Sequence, residues 1–150
     1  MKGDKQHKNP VPAVDFIIEK ESKILLIRRK NDPFKGMLSI PGGFVNEGEA
    51  VEDAMKREAR EETSLQVEPV EILGVSSDPK RDPRTHTLSI TFIATPVAGT
   101  EKASDDASSL EWFDITNLGS IENLAFDHSK ILSDYTKWLK SRETYWSSKK

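Results

Sequence analysis

The 150-residue chain has no cysteine, which excludes disulfide staples and thiolate metal sites and fits a cytoplasmic setting. It has no apolar run near the ~20 residues that cross a bilayer, and its start, MKGDKQHKNP, lacks the apolar core of a signal peptide. A surplus of positive charge is also missing. With 22 Lys and Arg against 25 Asp and Glu, the net charge of −3 offers no general attraction to nucleic acid or to an acidic membrane, so neither is expected as a partner. An anionic ligand has to be drawn by a local site.

What is present suffices for one folded domain. The hydrophobic fraction is 35% and the charged fraction 31%, but apolar runs such as FII, ILLI and LSITFIA alternate with polar turns as they do in globular proteins. The pattern divides into a polar N-terminal arm (1–12), a single domain (13–140) and a polar C-terminal tail (141–150). Within the domain, Ala13 to Ile18 and Lys23 to Arg28 read as two strands joined by the charged turn EKES. Leu38 to Ile40 and the turn PGG follow. A helix is expected over about Glu49 to Glu62, bracketed by Gly48 and by the β-prone run LQVEPVEILGV. After the loop SSDPKRDPRTH come the strand TLSITFIATPV, a turn holding Asp105 and Asp106, and a short strand around LEWFDI. Apolar residues at Ile131, Leu132, Tyr135, Trp138 and Leu139 predict a final helix within Asp127 to Lys140. The fold class is therefore α/β (α+β), a mixed β-sheet with one helix in mid-chain and another near the end.

The mid-chain helix carries more acid than a helix needs. Glu58, Glu61 and Glu62 stand at i, i+3 and i+4, so their carboxylates share one side, near the helix C-terminus where the macrodipole already disfavours negative charge. A solvated acidic face relieved by Arg57 and Arg60 is the plain reading. Two features favour a metal site instead. Pro41-Gly42-Gly43 lets backbone carbonyls come close to whatever the carboxylates hold, and the cluster offers only hard oxygen ligands, the preference of Mg²⁺ or Mn²⁺.

Gly43, then Glu49, then Arg57-Glu58-Ala59-Arg60-Glu61-Glu62-Thr63-Ser64-Leu65 resembles the signature of the Nudix hydrolases, which cleave nucleoside diphosphates linked to another group. Ser64 stands where the family usually has glycine, at the left-handed end of the helix, and Ala59 is smaller than the aliphatic often found there. The resemblance implies a Nudix fold, a mixed sheet sandwiched between helices. It implies Glu58 and Glu62 as the main metal ligands, Glu61 as a further or water-mediated one, and the Gly43 carbonyl as completing the site. It also implies Glu49 and Arg57 as a pair holding the loop against the helix. Divalent metal suits such chemistry by neutralising the diphosphate and lowering the pKa of a bound water.

Beyond this box, PFKGMLSIPGGFVNEGE, SDPKRDPRTHTLSITFIA and LAFDHSKIL resemble the ADP-ribose pyrophosphatase branch. The implied reaction is Mg²⁺-dependent hydrolysis of ADP-ribose to AMP and ribose 5-phosphate, with Mn²⁺ as a substitute and a homodimer as the assembly. Hydrolysis of another nucleotide, either a damaged nucleoside triphosphate or a dinucleotide cofactor, is the alternative within the family. A non-catalytic ADP-ribose sensor is the alternative outside it.

Candidates for the substrate come from the flanking segments. Arg81 and Arg84 either hold a diphosphate or terminal ribose phosphate, or are solvated arginines of a well-made turn. Phe34 either stacks on adenine or belongs to the core. Of Arg28 and Arg29 at a strand end, Arg29 is the candidate for a phosphate and the other is expected in solvent by alternation. Asp106, beside Asp105, falls where the family places an acidic residue that aids metal binding or acts as base, an ordinary acidic turn being the alternative. His86 and His128 are expected to be hydrogen-bonded structural histidines.

Overall fold

The structure, a computed structural model, describes residues 7–105 and 107–146. Strands β1 (Val11–Lys20) and β2 (Lys23–Arg29) form an antiparallel hairpin. Its turn residues Glu21 and Ser22 both have positive φ, the backbone that matches a tight hairpin to the twist of its strands. Then follow β3 (Leu38–Ser39), β4 (Gly42–Phe44), helix α1 (Val51–Thr63), β5 (Gln66–Ser76), β6 (Thr87–Ala98) and β7 (Ala107–Asp114). A 3-10 segment (Ile115–Ser120), helix α2 (His128–Ser141) and β8 (Tyr145–Trp146) complete the described chain. The sheet order is β3-β2-β1-β6-β5-β8, with β4 also paired to β1 and β7 to β2. β1 runs parallel to β6 and β5 parallel to β8, while the other pairs are antiparallel, so the sheet is mixed as expected.

Strand alternation explains why helices cover both faces. Val14, Phe16 and Ile18 of β1 and Leu25 of β2 pack with Ala54, Met55 and Ala59 of α1. Ile17 of β1 and Ile24 and Leu26 of β2 pack on the opposite side with Ile131, Leu132, Tyr135 and Trp138 of α2. β1 and β2 are apolar on both faces, which is why their sequences read as continuous apolar runs.

Three expected boundaries move. The expected arm runs through Pro12, but β1 begins at Val11, because Val11 and Pro12 already lie in register with Thr87 and Leu88. The tail at 141–150 is not all tail: Tyr145 and Trp146 add a strand to β5, and they can do so because a Cβ on Gly74 would lie only 2.1 Å from the Tyr145 carbonyl oxygen. Helix α1 begins at Val51 rather than Glu49, since the Glu49 side chain serves the preceding loop, where its carboxylate accepts from the Asn46 N–H (3.1 Å). The N-cap Ala50 supplies no side-chain bond, and Glu52 and Asp53 in the first turn complement the helix dipole instead.

Candidate functional site

Helix α1 turns Ala54, Met55, Ala59 and Thr63 into the core, and this carries Glu58 and Glu62 along β4. The approach is close. A Cβ on Gly43 would sit 2.2 Å from the Glu58 carboxyl carbon, so no other residue fits there without displacing the carboxylate. The Gly42 N–H donates to Glu62 Oε2 (3.1 Å). Arg57 binds this corner together. It forks onto Glu49 (2.8 and 2.9 Å), reaches Glu58 (2.8 Å) and Glu61 (3.2 Å), and donates to the Phe44 carbonyl (2.9 Å). Loop, strand and helix thus share one guanidinium, the arrangement the resemblance implies for Glu49 and Arg57.

The electrostatics divide the acids into two kinds. The Arg57 guanidinium, helped by the Asn46 N–H, holds the Glu49 carboxyl down at about 2. Burial pushes Glu58 up despite Arg57. Burial, and after it the neighbouring Glu58 charge, pushes Glu62 well above the usual carboxylate range. Glu61 differs from both, its side chain 59% exposed and drawn to Arg57.

A divalent cation fits this corner because two crowded oxygen donors, a glycine backbone and an uncompensated carboxylate are what it would relieve. Among the described residues no three His, Asp or Glu side chains converge as a ready-made cage. Glu58, Glu62 and the Gly43 carbonyl can supply part of a shell and leave the rest to phosphate oxygens and water, as Mg²⁺ sites commonly do.

Beside the glycines opens a cleft of about 150 Å³. Its floor includes Val14, Asp15, Ser39, Ile40, Thr87 and His128, and its rim Arg29, Phe44, Arg84 and Phe126. The Ser39 hydroxyl is buried there without a partner. Arg29 Nε donates to the Pro33 carbonyl (2.7 Å), and no acceptor among the described residues pairs with its terminal nitrogens. Arg84 is tied through Nε and Nη2 to Asp82 (3.0 and 2.8 Å). Arg28, by contrast, pairs with Glu111 (3.0 Å), away from the cleft, as alternation requires.

Arg81 departs from its expected role. Its side chain is 5% exposed and its donors are committed internally: to Asp127 (3.0 and 2.9 Å), Thr87 (2.8 Å) and Asp15 (3.1 Å). It is a buried tie between β1, β6 and the start of α2, with little left for a phosphate. Asp15, which sequence reasoning passed over, is the centre of that tie. It also accepts from Ser89 (2.6 Å) and lies 3.6 Å from His128 Nε2. Burial raises its pKa, but His128, Arg81 and Ser89 outweigh this and bring it below the ordinary value. The missed signal was an aspartate inside the strand run AVDFII, since a buried acid almost never stands unpaired.

The histidines behave as expected: His128 Nδ1 accepts from the Ile40 N–H (2.9 Å), and His86 Nε2 bonds the Ser77 carbonyl (3.0 Å). Phe34 joins neither core cluster and sets its ring edge-on to Phe126, with centroids 4.8 Å apart. Asp105 is exposed in its turn, and Asp106 lies outside the described residues.

A mixed sheet between two helix layers, with a carboxylate corner opening onto an arginine-rimmed cleft, defines a phosphate-directed α+β hydrolase class. The family model of the NUDIX domain matches residues 9–135, and the chain belongs to the Nudix hydrolase family. It is 55% identical over 130 residues to an ADP-ribose pyrophosphatase of Methanocaldococcus jannaschii, a match covering 87% of this chain and 75% of that one. A bifunctional NMN adenylyltransferase/ADP ribose pyrophosphatase of Francisella tularensis, solved with AMP and a manganese ion, superposes with a TM-score of 0.73 at 25% identity, over 92% of this chain and 43% of that one. The NUDIX domain of Shewanella oneidensis NrtR, solved with ADP ribose, gives a TM-score of 0.76 at 24% identity, over 91% of this chain and 93% of that one, and speaks for the fold alone.

Proposed function

We propose that this chain hydrolyses the diphosphate bond of ADP-ribose, giving AMP and ribose 5-phosphate, with Mg²⁺ or Mn²⁺ bound at Glu58, Glu62 and the Gly43 carbonyl. The observation that carries this is the crowding of Glu58 and Glu62 against the glycine pair at the edge of the cleft. The archaeal pyrophosphatase at 55% identity supports the choice of ADP-ribose within the family.

In this reading Glu58, Glu62 and the Gly43 carbonyl would hold a divalent ion, whose charge would offset that of the diphosphate and lower the pKa of a water. The chain's own residues do the rest. Glu58 and Glu62 present their oxygens from one helix face, and Arg57 fixes Glu58 from behind while anchoring the loop through Glu49. Arg29 and Arg84 offer N–H groups to phosphate oxygens from the rim, and the buried Ser39 hydroxyl offers a bond to the sugar. Glu61, exposed beside Arg57, contributes a water-mediated contact at most.

The test is incubation with Mg²⁺ and a panel of nucleoside diphosphate conjugates, dinucleotides and nucleoside triphosphates, with products separated by chromatography. ADP-ribose should give the largest kcat/KM. A much larger value for another nucleotide would replace the substrate, and tight binding without product would turn the enzyme into a sensor. A cytoplasmic setting and a homodimer belong to the same reading, checked by cell fractionation and light scattering; among the described residues no helix is long and apolar enough to cross a membrane.

A further inference from the structure

Phe126 joins the substrate-side loop to α2 in a backbone conformation that bulky residues avoid. Its φ is +53, and Phe34, whose ring meets it, has φ +63. Left-handed backbone at a non-glycine aromatic persists only where its surroundings over-determine it. Here they do. Ala125 on one side donates to the Leu38 carbonyl (2.8 Å), and Asp127 on the other is gripped at both carboxylate oxygens by Arg81. The chain is pinned before and after Phe126, and the ring is left half-buried at the cleft rim.

The ring has two cationic neighbours. The Arg29 guanidinium carbon lies 5.0 Å from its centroid and that of Arg84 5.7 Å. Two guanidiniums near one point repel. Arg29 is anchored through Nε to the Pro33 carbonyl (2.7 Å) and feels the attraction of Glu62, the carboxylate crowded at the glycine corner. The ring face attracts both cations and carries no charge that could neutralise either. Phe126 therefore does what an acid at this position could not: it gathers both guanidiniums at the rim without adding a negative charge there, Arg84 being tied besides to Asp82 (3.0 and 2.8 Å) and lying 5.5 Å from the Phe44 centroid.

We propose that Phe126 is a specificity-determining positioning residue that keeps Arg29 and Arg84 side by side at the rim, so that two adjacent phosphate groups are recognised together. The ligand class is an organic diphosphate; a single phosphate engages only one of the two cations. This rests on the diphosphate reading of the cleft, and it assigns a role to a residue that the helix signature does not contain.

Two measurements on the full chain with Mg²⁺ separate the inference from that reading. One is kcat and KM for ADP-ribose; the other is the Kd for methylenediphosphonate, a non-hydrolysable diphosphate, set against the Kd for inorganic phosphate, both by calorimetry. Phe126→Leu should raise KM and the diphosphonate Kd by about 5- to 30-fold, the worth of two partly exposed cation–π contacts, with kcat within about threefold and phosphate affinity little changed. Phe126→Tyr should restore wild-type values. Phe126→Asn, which tolerates left-handed backbone but has no ring, should behave like the leucine variant. If wild type binds the diphosphonate and loses it in Phe126→Leu without turning over ADP-ribose, the inference stands and the substrate reading falls. The inference is overturned if wild type does not bind the diphosphonate, if Phe126→Leu leaves its Kd unchanged while only melting earlier, or if Phe126→Asn matches wild type.

Discussion

Glu62 shows how one residue can be poor for the fold and good for the site. Its carboxylate is partly buried beside Glu58 and receives one backbone N–H, from Gly42, so ionising it in the folded protein is unfavourable. Glu62→Gln keeps the shape and removes the charge. In metal-free protein it should raise the melting temperature, while activity with Mg²⁺ should fall by about 100-fold or more, the scale of losing one preorganised electrostatic contact. Unchanged activity would remove Glu62 from the reaction. Ser64 is the opposite case, a departure from the family pattern that bears on stability alone. It caps α1 with φ +63, and its N–H reaches the Arg60 carbonyl, the conformation for which glycine is favoured. Ser64→Gly should stabilise the protein by about 1 kcal/mol, a rise of about 3 °C in Tm, with kcat/KM unchanged. A fall in Tm would mean that the seryl side chain makes up for its backbone strain.

At the scale of elements, two arginines do the joining. Arg57 ties α1, β4 and their loop, and the sequence shows it because its partners Glu49, Glu58 and Glu61 are close along the chain and fall within one signature. Arg81 ties β1, β6 and α2, and the sequence hides it, because Asp15 is 66 residues away and Asp127 is 46. From the loop SSDPKRDPRTH alone, Arg81 and Arg84 look alike; tertiary packing sends one inward and leaves the other at the rim. Strands and helices were legible for a similar reason, being written in local periodicity, whereas β8 and the Phe126 turn depend on contacts that no local pattern records. Arg81→Met should cost about 3 kcal/mol in urea unfolding, since buried Asp15 would keep only Ser89 and His128 beside it and half-buried Asp127 would lose both of its bonds to Arg81. Adding Asp15→Asn to that variant should recover part of the loss, and strict additivity of the two changes would show that the pair is not coupled.

For the molecule as a whole, the two kinds of carboxylate oppose one another along the pH axis. Asp15, Glu49 and Asp82 have folded pKa values below their ordinary ones, so the stability they confer is complete above about pH 4.5 and is lost as pH falls toward the Glu49 value of about 2. Glu58 and Glu62 are shifted the other way. Above pH 4.5, and up to their raised folded values, the folded protein holds more protons than the unfolded chain, and stability declines as pH rises. Metal-free protein should therefore melt highest in mildly acidic buffer and lose Tm on either side. A divalent cation replaces those protons, so Mg²⁺ should lift Tm more at about pH 8 than at about pH 5, where it competes with bound protons. Glu62→Gln should flatten the alkaline side in EDTA and shrink the Mg²⁺ increment, leaving the acid side, set by Asp15 and Glu49, unchanged. Thermal melts across this range with EDTA or Mg²⁺ decide the matter. An Mg²⁺ increment equal at both pH values, with no alkaline decline in EDTA, would show that the crowded carboxylates on α1 are not where the metal binds.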